Sequence, residues 1–206
     1  MRRHFAVCAF VFTVVVFALT NCNNYDLLNQ LENPGSASGM GSRNLRIFLT
    51  ASGYSGNLGG TAGADAICVA DGANPNGAGN GSWKALIGAP DRLACTTANC
   101  TGGIAENLNW VLKPNTKYMR PDGFEIGNTN EKALLIFPLV SPISPMPTTF
   151  AWTGLGADWV YSTSCGDWIS GGGSGNRAQV DSLTSAAIFT GAQTCGVSER
   201  LYCVEQ

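Results

Sequence analysis

The stretch Leu45-Arg46-Ile47-Phe48-Leu49-Thr50, followed by the glycine pair Gly59-Gly60 and then by Thr61-Ala62-Gly63-Ala64-Asp65-Ala66-Ile67-Cys68, decides how the folded part of this chain is read. The first six residues form an apolar, β-prone run that Gly53 closes. The second segment changes period: Ala62, Ala66, Ile67 and Ala70 recur at helical spacing, Thr61 offers an N-cap oxygen, and Asp65 suits a first turn. A strand followed by a helix carrying Cys68 is therefore expected at the start of the domain. Downstream, Asp71 to Gly81 reads as a long loop around Asn74-Pro75-Asn76-Gly77, and Trp83 to Ile87 reads as a second short helix. From Leu108 onward the chain turns to short β candidates separated by Gly, Pro and Asn: Trp110–Leu112, Lys132–Phe137, Phe150–Trp152, Trp159–Tyr161, Ala187–Phe189 and Arg200–Val204. Ser141–Pro147 and Gly171–Gly175 read as extended loops. Two helices early and then many short, mostly antiparallel strands give an α+β domain over residues 44–206.

Working outward to the N-terminus, Arg2, Arg3 and His4 precede an uncharged apolar run from Phe5 to Leu19. That pattern is a basic region joined to the apolar region of an export signal, and it falls short of the roughly 20 residues a membrane-spanning helix needs. It ends in Leu19-Thr20-Asn21-Cys22, which resembles a lipobox, with Asn before the cysteine as in the looser spirochaetal version. Residues 1–21 then form a lipoprotein signal peptide and Cys22 is the lipidation site. Asn23 to Arg43, with Pro34-Gly35 and Ser36-Ala37-Ser38-Gly39, has too little apolar surface to order itself, so residues 22–43 read as a flexible tether reaching roughly 25 Å. The expected location is the cell envelope, held to the outer membrane by acyl chains.

Composition narrows the chemistry. Only 13% of the 206 residues are charged, with a net charge of −2, which argues against nucleic acid as a partner. Removal of the signal leaves ten basic against fourteen acidic side chains, about −4, and takes away His4, the only histidine. Catalytic triads, Cys-His pairs and His-ligated zinc are thereby excluded. After Cys22 six cysteines remain, Cys68, Cys95, Cys100, Cys165, Cys195 and Cys203. An even number behind an export signal points to disulfides, and six allow fifteen connectivities. A four-cysteine zinc site lacks the paired C-x-x-C spacing it would need.

Gly63–Cys68, Gly81-Ser82-Trp83-Lys84-Ala85-Leu86, Trp152-Thr153-Gly154, Cys165-Gly166-Asp167-Trp168 and Arg200-Leu201-Tyr202-Cys203-Val204 together resemble a leptospiral lipoprotein domain of unknown function. Its fold is similar to endostatin and, more distantly, to C-type lectins. The resemblance runs from Ile47 to Val204 and implies nested disulfides, Cys68 with Cys203 and Cys165 with Cys195, leaving Cys95 with Cys100 as a local loop. By their size and apolar surface, Trp83, Trp110, Trp152, Trp159 and Trp168 are expected mostly in the core.

Fold alone does not carry function. The calcium motifs of sugar-binding lectins are absent, since Arg120-Pro121-Asp122 has the wrong first residue and Asp167-Trp168 lacks the following acid. The histidine zinc site of endostatin has no counterpart, and no cofactor is expected. The leading expectation is a non-enzymatic, anchored domain that binds a host matrix or plasma protein, or a glycan, at the cell surface. A structural periplasmic lipoprotein is the second reading. A hydrolase using Asp158 and Asp167 is the third, against which both acids are ordinary turn residues.

Overall fold

The computed structural model describes residues 44–206; the expected signal peptide, Cys22 and the tether lie outside the described residues. The strand β8 (Arg200–Glu205) organises the domain, because every residue from Leu201 to Glu205 is buried. A run covered on both faces must satisfy both of its backbone edges with other strands. Strand β1 (Leu45–Leu49) pairs antiparallel on one side, with Ile47 opposite Val204 and Phe48 opposite Cys203. Strand β2 (Trp83–Ala85) occupies the other edge over the same residues, with Lys84 opposite Val204. Further along that edge, β5 (Phe150–Trp152) joins in parallel, Ala151 facing Arg200 and Trp152 facing Leu201.

Four more strands extend the sheet among the described residues. The hairpin of β3 (Lys117–Met119) and β4 (Glu125–Asn128) attaches to β1, and β6 (Ser174–Gln179) with β7 (Gly191–Thr194) attaches to β5. Pairing is antiparallel except for β1 with β3 and β5 with β8, so the fold is α+β with a mostly antiparallel sheet.

The two-residue period of β1 and β8 sorts the core into two halves. Ile47, Tyr202 and Val204 face a cluster with Tyr118, Ile126 and Ile188. Phe48, Leu201 and Cys203 face the other way, onto Trp83, Trp152, Trp168 and the helix α1 (Gly60–Ala70). Helix α1 buries Ala64 and Cys68, and the Cys68–Cys203 disulfide bolts it to β8 across 135 positions. The other bridges are Cys165–Cys195 and Cys95–Cys100, so the structure contains the three pairs that the resemblance implies. All five tryptophans are buried.

Several local expectations are corrected. Trp83–Ile87 is not a second helix: Trp83–Ala85 forms β2, because Trp83 and Ala85 point into the core with Lys84 between them, a period of two rather than 3.6. The cap of α1 is Gly59, at φ 81, not Thr61; the Thr61 hydroxyl donates instead to Asp91. Asp65 lies beyond the first turn. Trp110–Leu112 is irregular, and Lys132–Phe137 contributes only a single bridge, at Leu135. In place of an Ala187–Phe189 strand, the chain makes a short 3-10 turn, Ser185–Ala187, capped by the Thr184 hydroxyl. At Trp159–Tyr161 the chain makes isolated bridges through Val160 and Tyr161.

A second helical segment, α2 (Cys165–Trp168), winds the opposite way: Cys165, Gly166, Asp167 and Trp168 all have φ between 54 and 65. Left-handed backbone costs roughly 1–2 kcal/mol per non-glycine residue. It is held by the Cys165–Cys195 bridge and by the buried Trp168 indole, which donates to the Gly88 carbonyl at 2.8 Å.

Candidate functional site

The catalytic and metal readings depend on the acidic residues. Asp65 takes a bidentate pair from Arg92 and a bond from the Ala85 amide. Asp71 accepts from the Ala51 and Ala73 amides at 2.8 Å and from the Tyr54 hydroxyl, and this burial beside a carboxylate raises the Tyr54 pKa. Asn74 donates to the Val69 and Asn80 carbonyls, and its own side-chain oxygen accepts from the Asn76 amide. The 71–81 loop therefore spends its oxygens on turn chemistry rather than converging them. Among the described residues no three His, Cys, Asp or Glu side chains gather in one place.

Asp158 and Asp167 each serve their own turn. Asp158 accepts from the Val160 amide, and the exposed Asp167 accepts from the Tyr161 and Ser164 hydroxyls at 2.6 and 3.2 Å. Burial, reinforced by Asp167, raises the Tyr161 pKa. The cysteines at 68, 95, 100, 165, 195 and 203 are all bridged.

Two surface clefts remain. The first, about 210 Å³, opens between the end of β1 at Phe48 and Leu49, the hairpin tip Arg120–Asp122, and the strap Ile143–Met146. Exposed apolar side chains also lie along β4 and on the strap. Phe124 is 60% exposed under the Arg120 guanidinium, and Val140, 66% exposed, lies alongside β4 through its amide bond to the Ile126 carbonyl. Ile136 follows the same line through Asn128, and Met146 sits on the strap. Sequence reading missed this corner because its residues are scattered from 120 to 146; the many prolines of 138–147, which forbid a regular strand, were the available signal.

The second cleft, about 310 Å³, is polar. Its walls are Gly53, Thr148, Thr149, Ser198, Glu199 and Arg200, with the Phe150 ring behind them. Glu199 is buried and paired to Arg177 at 2.5 Å, and that guanidinium also covers the Phe150 face at 3.8 Å. Arg200 donates to the Thr50 and Ala51 carbonyls.

Comparison with known proteins adds a family but no activity. No curated protein matches the chain. Residues 51–185, more than half of the chain and running from just after β1 to beyond β6, match the family described as "Protein of unknown function (DUF1554)". A segment that includes α1, β2 to β6, α2 and both clefts' straps is thus shared with that family, and the chain belongs to the DUF1554 family of proteins of unknown function.

Proposed function

We propose that this chain is a lipid-anchored cell-envelope protein, attached through Cys22 to the outer membrane, whose C-type-lectin-like and endostatin-like domain binds a macromolecule outside the cell without calcium and without catalysis. The observation that carries the reading is the row of exposed apolar side chains along β4, Phe124, Val140 and Ile136, together with Met146 at the first cleft. Exposed apolar side chains grouped along one strand, rather than scattered singly, are a mark of a protein-binding face. The partner class it favours is a protein, such as a host matrix or plasma protein, over a glycan, whose many hydroxyls would find few polar partners among these side chains. The engagement of Asp65, Asp71, Asp167 and Glu199 in structural bonds supports binding over hydrolysis.

The test is protease shaving of intact beside lysed cells, with the domain followed by antibody and a periplasmic marker checked for leakage. Loss from intact cells is the expected result. Protection until lysis would overturn the outward-facing reading and leave a structural periplasmic lipoprotein in its place.

A further inference from the structure

The second cleft carries an inference of its own. Among the described residues five ion pairs use Arg46, Arg92, Lys117, Arg120 and Arg177. Arg200 is the arginine left without a carboxylate partner among the described residues, and it lines the cleft. Its Nη1 is fixed by the Thr50 and Ala51 carbonyls, which hold the guanidinium in place without neutralising it. The edge formed by Nε and Nη2 makes no hydrogen bond to the described residues. Glu199, the one acid in the wall, is already balanced by Arg177. The wall therefore presents one guanidinium, Arg200, and one carboxylate whose charge Arg177 already offsets.

Neutral donors add to this guanidinium. The amides of Gly53 and Ser198 and the Ser198 hydroxyl make no hydrogen bond to the described residues, and all belong to the wall. By contrast the Thr148 and Thr149 hydroxyls are spent on the Pro147 carbonyl. Thr148 also stands at φ 52, a left-handed conformation that a β-branched residue adopts only where surroundings impose it. Backbone held in such a region concentrates at sites that bind or catalyse. Gly53 keeps the opposite wall low: a Cβ there would meet the Ser198 Cβ at 3.3 Å.

We propose that this cleft is a carboxylate-binding site, with the Arg200 Nε and Nη2 edge and the Gly53 and Ser198 donors converging on the two oxygens of one ligand carboxylate. A planar guanidinium edge matches a carboxylate with two parallel bonds, which a point charge cannot do. The carboxylate comes from an acidic side chain or from an acidic sugar; the site's chemistry is the same for both. The inference rests on the cleft alone, so it holds or fails independently of the anchor and of surface exposure.

The experiment titrates the full chain, with its disulfides intact and held in a neutral detergent, with acetate, N-acetylaspartate and glucuronate, while amide chemical shifts are followed. Saturable shifts at Gly53, Ser198 and Arg200 are expected. Arg200→Lys, which keeps the charge but loses the planar edge, should weaken binding about tenfold or more. Ser198→Ala, at an exposed position where folding is not in question, should weaken it by less. Tighter binding of N-acetylaspartate than of glucuronate assigns an acidic side chain, and the reverse order assigns an acidic sugar. Shifts that do not saturate, that match those around the distant Lys84, or that persist unchanged in both variants would overturn the proposal.

Discussion

Asp65 on α1 and Arg92 in the loop after β2 form a two-bonded ion pair, Nη1 to Oδ1 at 2.8 Å and Nη2 to Oδ2 at 2.7 Å, with the arginine side chain only 5% exposed. Arg92 Nη1 also donates to the Ala85 carbonyl, and the Ala85 amide donates to Asp65. One guanidinium thus locks the helix to β2, which is the edge strand that completes β8. This pair takes the place of the first-turn role that the sequence suggested for Asp65.

Removing one partner strands a buried charge. Asp65→Ala should lower stability by about 3–5 kcal/mol, whereas a double change of Asp65 and Arg92 to apolar residues should cost much less. Urea denaturation of the two variants beside the parent decides it. Equal losses would show that the interaction is no more than packing.

The bridges should differ by the length of chain they close. On the chain-entropy argument, opening Cys68–Cys203, separated by 135 positions, costs about 5 kcal/mol, against about 2 kcal/mol for Cys95–Cys100, separated by 5. Paired Cys→Ala variants in a denaturation series measure the difference. If the short bridge mattered more, its role would lie in the native loop and not in the unfolded chain.

Glycine 63 offers a sign test. In an exposed helix interior Gly→Ala gains roughly 0.5–1 kcal/mol. Here an added Cβ would sit 2.1 Å from the Leu58 carbonyl oxygen, a backbone atom that has no rotamer to escape into. Gly63→Ala is therefore expected to destabilise, read as a lower thermal midpoint. A gain would mean that the loop before α1 yields easily.

The 95–106 loop is a carboxylate cradle. The Thr97 hydroxyl donates to Glu106, joined by the amides of Thr97, Gly102 and Thr96, and these bonds hold the Glu106 pKa at about 2. Because the folded value lies below the ordinary 4.5, the contribution is complete above that ordinary value and fades as pH falls toward 2. A carbon-detected pH titration should place the Glu106 midpoint near 2, and Glu106→Gln should remove the acid dependence of this loop. A midpoint in the usual carboxylate range would show that the cradle does not form in solution.

At Phe124 the binding reading meets a direct test. Phe124→Ser and Val140→Ser change side chains that are more than half exposed, so folding should shift by no more than about 0.5 kcal/mol. Binding of a partner at this corner, measured by surface capture of purified matrix and plasma proteins, should fall at least tenfold. Unchanged capture in both variants would move the docking face elsewhere.

The α+β class, the strands at Leu45–Leu49, Phe150–Trp152 and Arg200–Glu205, the helix carrying Cys68 and the burial of the five tryptophans were all legible from residue order. Each depends on local periodicity or on sheer apolar size, which the chain carries wherever it goes. What only the tertiary structure decided was everything set by a partner far along the chain. Trp83–Ala85 is a strand because β8 offers it an open edge, and Ser174–Gln179 is one despite its glycine and polar content because β5 and β7 flank it. Likewise the left-handed turn at Cys165–Trp168 exists because a disulfide and a buried indole overrule its local preference. The polar cleft joins Gly53, Thr148 and Arg200, positions that no periodicity links and that meet only where β8 emerges between β1 and β5. Long-range pairing outweighs intrinsic propensity wherever burial and backbone hydrogen bonds are at stake, and clefts form at those same crossings.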